Sequence, residues 1–192
     1  MTIGLQKHSR VISDKEKKLT AYHEAGHAIV SKFLETHLDV KEISIIPRGA
    51  AGGYTMYKTN EDKYYRSKIE MEEWLVSLLG GRAAEQIALN DISTGASNDI
   101  EVATGIAKDM VIKYGMSERI GLVNLEQKNP YERATFGDNI DELVGQEVKV
   151  FIDNAYKAAK EILLANMDKL HAVSERLLEK ETISAEEFET FF

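Results

Sequence analysis

The sequence of 192 residues contains no cysteine, so neither disulfide bonds nor thiolate metal ligands are available to it. Any transition-metal site would therefore have to use histidine, aspartate or glutamate side chains. No apolar run approaches the roughly 18–20 residues of a membrane-spanning helix, and the first residues lack the apolar core of a secretory signal. Basic residues are in the minority. The net charge of −8 argues against a phosphate-binding surface, so we expect no nucleic-acid partner.

The composition indicates one globular domain preceded by a short linker. Apolar residues make up 43% of the chain and charged residues 29%, which is typical of a globular protein rather than a disordered one. Residues 1–12 are polar and basic and show no periodicity, so we interpret them as a linker. We expect residues 13–192 to form the domain.

Hydrophobic periodicity predicts a mostly α domain with a small β hairpin or sheet. Serine followed three residues later by glutamate forms a capping box, which places helix starts at Ser13 and Ser67. Helices are predicted at 13–36, 67–89 and 97–114, in two segments between 140 and 180 that break near Asn166, and after Ser184. Strands are predicted at 40–46 and 54–57, and residues 116–138 are predicted to be mainly loop. The pair Gly80-Gly81 predicts a kink or a close helix contact, because glycine destabilises a helix interior by about 1 kcal/mol relative to alanine.

The most informative motif is His23-Glu24-Ala25-Gly26-His27, which lies inside the first predicted helix. Two histidines four residues apart lie on one helix face, where both imidazoles can bind one zinc ion, as in a zincin-like motif helix. The carboxylate of Glu24 then lies beside the metal and can accept a proton from zinc-bound water. The motif predicts a zinc site with His23 and His27 as ligands and Glu24 as general base. A purely structural zinc with four protein ligands and a zinc hydrolase of small molecules are the alternatives.

A catalytic zinc needs a third protein ligand and one open position. No further histidine follows the motif at the spacing of the extended zincin pattern, and no motif supports His8, His37 or His171. Carboxylates are therefore the candidates. Glu85 lies in the helix after the predicted strands, and Asp99 lies in the first turn of the next predicted helix. Spacing alone does not choose between Glu85 and Asp99.

Four segments point to a known family. They are YHEAGHA at residues 22–28, IIPRG at 45–49, LGGRAAE at 79–85 and STGASND at 93–99, with a weaker match at 114–117. In these segments and in their order, the chain resembles the protease domain of the FtsH family, the membrane-anchored ATP-dependent zinc proteases. The matches span the first two thirds of the chain, so they are far more specific than the five-residue motif alone.

The resemblance implies that Asp99 is the third ligand of one zinc ion per chain, and it leaves the role of Glu85 open. It also implies a zinc-dependent endopeptidase that hydrolyses unfolded or ATPase-delivered polypeptides in protein quality control. Substrate strands are expected to pair with the edge of the small β element near Gly53, Tyr54 and Thr55, where backbone groups bind many sequences.

The resemblance further implies a homo-hexameric full-length protein in the bacterial inner membrane, with this domain on the cytoplasmic side. The phosphate-binding loop of the family's ATPase module is absent from this chain. ATP is therefore expected to act only through an upstream module, to which residues 1–12 would be the linker. This part of the protein is expected to be soluble, without membrane contact of its own.

Overall fold

Helices make up most of the computed structural model, which describes residues 13–49, 51–58, 64–126 and 139–192. The elements in chain order are α1 (Asp14–Lys32), β1 (Val40–Ser44), β2 (Tyr54–Tyr57), α2 (Lys68–Leu78), α3 (Gly80–Leu89), α4 (Ser97–Ile112), α5 (Ile140–Ala165), α6 (Met167–Lys180), β3 (Thr182–Ser184) and α7 (Ala185–Glu189). The mostly α fold is confirmed. The predicted linker and residues 127–138 of the predicted loop lie outside the described residues. None of the described helices is both long and apolar enough to cross a membrane.

Helix α1 starts where its capping box predicts but ends earlier than predicted. The Ser13 hydroxyl accepts from the Glu16 backbone N–H at 3.2 Å, and the Glu16 carboxylate accepts from the Ser13 N–H at 3.2 Å. The predicted end at residue 36 is wrong. The carboxylate of Glu73 in α2 accepts from the backbone N–H groups of Glu35 and Thr36 at 3.1 and 2.7 Å. The backbone N–H groups after α1 thus bond to a residue distant in the sequence instead of to the carbonyl groups of a further helical turn.

The β element is a three-stranded antiparallel sheet with the order β2-β1-β3. The predicted hairpin of β1 and β2 is confirmed, although β1 ends at Ser44 rather than at residue 46. The short strand β3 was not predicted, because its three residues are too few to show a period. Among the described strands, β2 has a neighbour on one side only, so its other edge keeps unpaired backbone groups.

The predicted kink at Gly80-Gly81 is confirmed as a break between α2 and α3 at Leu79. The helices α1 and α3 approach so closely that side chains are excluded at their crossing. A Cβ atom on Gly26 would lie 2.5 Å from the Ala84 Cβ and 2.6 Å from the Gly80 carbonyl oxygen. The central residues of α1, from Ala21 to Ser31, are all buried. The crossing therefore fixes the motif helix against α3.

Replacing Gly26 with alanine should destabilise the protein by about 2 kcal/mol or more, because the added methyl group overpacks the α1–α3 crossing. Gly105 in α4 provides the matched control, since an added Cβ there meets nothing within 4 Å. Gly105→Ala should raise the free energy of unfolding by up to about 1 kcal/mol, as expected for an exposed helical glycine. Urea unfolding followed by circular dichroism measures both changes. Equal stability of Gly26→Ala and the unsubstituted protein would contradict the close backbone approach.

Candidate metal centre

Two histidines of α1 and one aspartate of α4 converge on a single gap. The Nε2 atoms of His23 and His27 lie 3.0 Å apart. Asp99, in the first turn of α4, places its Oδ2 atom 3.2 Å from His23 Nε2 and 3.5 Å from His27 Nε2. One potential ligand atom from each of the three residues lies within 4.8 Å of the other two. The tertiary fold thus brings the first turn of α4, which packs against α2 and α5, to residues 76 positions away in the sequence.

The Nδ1 atom of each imidazole lies on the side away from the gap and forms a hydrogen bond with an acceptor. His23 Nδ1–H donates to the Glu85 carboxylate at 2.7 Å, and His27 Nδ1–H donates to the Ser77 carbonyl oxygen at 2.8 Å. Because both partners only accept, the neutral imidazoles keep their protons on Nδ1. Their Nε2 lone pairs therefore point into the gap that they share with Asp99. Such partners orient the histidine ligands of metal sites.

The donor set of the gap fits a zinc ion. Two Nε2 lone pairs and a carboxylate oxygen repel one another unless a cation or a proton lies between them. Zinc binds imidazole nitrogen and carboxylate oxygen, and three such ligands leave one tetrahedral position for water or substrate. The side chains of His23, His27 and Asp99 keep 10%, 11% and 19% of their surface exposed, so they are largely but not completely buried.

The electrostatics of the gap also favour a positive charge. Burial alone would lower the pKa of His23, but hydrogen bonds to Asp99 and Glu85 outweigh burial and raise that pKa to about 10. Burial alone would raise the pKa of Asp99, but contacts with His23 and His27 hold that pKa well below its usual value. A proton on His23 and a metal ion would therefore compete for the same place.

The carboxylate of Glu85 lies on the opposite side of His23 from Asp99. It is completely buried and also accepts hydrogen bonds from the backbone N–H and hydroxyl of Ser93, at 2.7 and 3.1 Å. Burial raises its pKa, but the hydrogen bonds from His23 and Ser93 outweigh burial and lower it. Glu85 thus contacts the Nδ1 side of the imidazole, whereas Asp99 contacts the Nε2 side. The spacing in the sequence did not choose between Glu85 and Asp99 as the third ligand, but in the structure the two carboxylates occupy distinct positions.

Glu24 is buried and faces the sheet. Its Oε2 atom accepts from the Thr55 hydroxyl of β2 at 2.9 Å. Burial raises the pKa of the Glu24 carboxyl, and the charges of His27 and His23 only partly offset this effect. A carboxylate with a raised pKa is a better proton acceptor near neutral pH.

Sequence reasoning missed the role of Gly81. A Cβ atom on Gly81 would lie 2.5 Å from His23 Nε2 and 2.6 Å from His27 Nε2. The start of α3 therefore closes one side of the gap, and only glycine leaves room for both imidazoles. The glycine pair at residues 80 and 81 signalled a close contact but not the partner of that contact.

The other residues singled out in the sequence lie around this gap or away from it. Gly53 and Thr55 approach Glu24, whereas the hydroxyl of Tyr54 donates to the Glu42 carboxylate. His171 accepts from or donates to the Tyr22 hydroxyl at 2.8 Å, and His37 packs against Tyr57, with ring centroids 4.7 Å apart. Neither belongs to the three-residue cluster, and His8 lies outside the described residues.

Comparison with known proteins places this chain in a family of peptidases. The model of Peptidase family M41 matches residues 10–191, and the chain belongs to this family. The resemblance to the FtsH proteases is thereby confirmed.

Several curated relatives are similar over nearly the whole chain. The protein described as ATP-dependent zinc metalloprotease FtsH 1 of Thermoanaerobacter sp. (strain X514) is 50% identical over 197 residues, which cover 98% of this chain and 32% of that protein. ATP-dependent zinc metalloprotease FtsH of Caldicellulosiruptor bescii is 50% identical over 194 residues, covering 97% and 32%. ATP-dependent zinc metalloprotease FtsH 2 of Alkaliphilus metalliredigens is 48% identical over 198 residues, covering 98% and 29%. The chain spans about a third of the length of these relatives.

Proposed function

We propose that this chain is a zinc-dependent endopeptidase in which His23, His27 and Asp99 bind one zinc ion and Glu24 is the general base. The observation that carries the proposal is the convergence of two Nε2 atoms and one carboxylate oxygen on a single gap. Membership of Peptidase family M41 and the zinc metalloprotease names of the relatives support it.

The residues around the gap have different roles in the proposed peptide hydrolysis. A bound zinc ion would supply the Lewis acid that activates water and polarises the peptide carbonyl. Glu85 and the Ser77 carbonyl hold the Nδ1–H groups and so keep both imidazoles aimed at the gap. The carboxylate of Glu24 accepts a proton from the attacking water and returns it to the leaving amine nitrogen.

Two features favour this function over its alternatives. A structural zinc site is closed by four protein ligands, whereas the cluster found among the described residues has three members, none of them completely buried. A polypeptide substrate is favoured over a small molecule by β2, which contacts Glu24 through the Thr55 side chain. Among the described strands, β2 has one free edge, which offers backbone groups to an extended chain. We propose that the peptide binds along Gly53, Tyr54 and Thr55, because Gly53 and Thr55 approach the side chain of Glu24.

For the whole protein, we propose that ATP acts through a module other than this domain. The relatives are about three times as long and are described as ATP-dependent proteases. The substrates are then unfolded or ATPase-delivered polypeptides. A homo-hexamer in the bacterial inner membrane, with this domain on the cytoplasmic side, rests on the resemblance to the FtsH family.

The zinc-loaded protein should cleave an unfolded polypeptide such as casein but leave a stably folded protein intact, because this chain contains no phosphate-binding loop of an unfolding motor. Treatment with a zinc chelator should stop cleavage, and added zinc, but not magnesium, should restore it. Gel electrophoresis of the products over time measures both effects.

Circular dichroism of the chelated protein separates the alternatives. A catalytic zinc predicts that helicity persists after chelation, whereas global unfolding would favour the structural zinc. Hydrolysis of single-residue amides or esters without any cleavage of casein would favour a small-molecule hydrolase instead.

A further inference from the structure

The strand β2 and Gly53, the residue before it, contact the side chain of Glu24 at two points. At the carboxylate, the Thr55 hydroxyl lies 2.9 Å from Oε2 and 3.0 Å from the Glu24 carbonyl oxygen. A hydroxyl group has one proton, and a charged carboxylate is the stronger of the two acceptors. The proton is therefore donated to Oε2, which leaves Oε1 without this partner.

The second point of contact is the methylene stem of Glu24. A Cβ atom on Gly53 would lie 3.0 Å from Glu24 Cγ and 2.7 Å from the carbonyl oxygen of Ser44. Only a residue without a side chain lets the backbone just before β2 lie this close to both α1 and β1. The stem of Glu24 thus lies close to the backbone of Gly53, while its carboxylate is hydrogen-bonded to Thr55, two residues further along.

We propose that Thr55 is a positioning residue for Glu24, which it holds with Oε1 free to accept the proton of the attacking water. This inference rests on the proposed role of Glu24 as general base. A glutamate side chain has several rotatable bonds, and an unrestrained carboxylate spends much of its time away from the reactive geometry. Because β2 also has the free edge, the same strand that would bind the peptide holds the base that acts on it.

The test compares Thr55→Val, which removes the hydroxyl at nearly constant volume, with Thr55→Ser, which retains it. On a fluorogenic peptide of unfolded sequence, Thr55→Val should lower kcat about 10- to 100-fold, the effect of losing a hydrogen bond to a charged group. KM should change by less than about twofold, since this hydroxyl binds Glu24 rather than the peptide. Thr55→Ser, which keeps the hydroxyl, should have a kcat within about threefold of that of the unsubstituted protein. The zinc content of both variants should remain unchanged.

A second measurement does not depend on turnover. In the Glu24→Gln background, where cleavage is slow compared with a binding measurement, Thr55→Val should leave the Kd of a fluorescein-labelled peptide unchanged. A crystal structure of zinc-loaded Thr55→Val should show the Glu24 carboxylate displaced from the position of Oε2.

Three results would overturn the inference: an unchanged kcat in Thr55→Val, an equal loss in Thr55→Ser, or a weakened Kd that accounts for the loss. Glu24→Gln tells this failure apart from a failure of the proposed function. Full cleavage by Glu24→Gln overturns the role of the base and, with it, this inference. An inactive Glu24→Gln together with a fully active Thr55→Val overturns the inference about Thr55 alone.

Discussion

Replacing Glu24 with glutamine should lower the rate of peptide cleavage by about 10²- to 10⁴-fold while zinc remains bound. Glutamine has nearly the same shape as glutamate, and its amide oxygen can still accept from the Thr55 hydroxyl. It cannot accept a proton from water, so general-base assistance is lost. The three residues that we propose as ligands are left intact. Elemental analysis tests whether zinc remains bound. Measurement of kcat on an unfolded polypeptide tests whether the rate of cleavage falls.

Glu161→Gln provides a control with the same change of charge. Glu161 lies on α5 with 67% of its side chain exposed, so its loss should leave kcat within about twofold of the unsubstituted protein. Cleavage at the normal rate by Glu24→Gln would contradict the role of Glu24. Zinc loss from Glu24→Gln would show that this carboxylate is needed for metal binding instead.

Removal of the Asp99 side chain should weaken zinc binding by more than about 100-fold, which exceeds the usual effect of an outer partner. Asp99 places its Oδ2 atom 3.2 and 3.5 Å from the Nε2 atoms of His23 and His27. Asp99→Ala leaves two imidazoles, which are too few for a stable tetrahedral site. Competition with a chromogenic chelator measures the affinity, and peptide cleavage should be lost in parallel.

Glu85→Gln is the discriminating partner of Asp99→Ala. Glutamine preserves the volume of this buried side chain, and its amide oxygen can still accept from His23 and the Ser93 hydroxyl, although its NH2 group loses the hydrogen bond from the Ser93 N–H. The zinc affinity of the variant should fall only about 10- to 100-fold, as expected for a residue that orients a ligand. Loss of zinc from Glu85→Gln with retention by Asp99→Ala would reverse the assignment of the third ligand.

The fold was predictable wherever local signals decide the structure. Ser13 and Ser67 start their helices with capping boxes, and the Gly80-Gly81 pair marks the break between α2 and α3. The predictions failed where a distant residue intervenes. Glu73 ends α1 by binding the backbone after it, and β3 exists because β1 provides a partner strand. The residues at the end of α1 do not reveal that Glu73 binds them, and the three residues of β3 do not reveal that β1 pairs with them.

The same distinction between local signals and distant contacts applies to the candidate metal centre. The spacing of His23 and His27 by itself determined that both imidazoles share one face of a helix, with Glu24 beside the first of them, because helix geometry is local. The resemblance to a family then favoured Asp99 as the third ligand. Only the tertiary structure decided which side of His23 each carboxylate contacts, since α3 and α4 bring Glu85 to Nδ1 and Asp99 to Nε2. That choice depends on how three helices pack, and no local spacing encodes it.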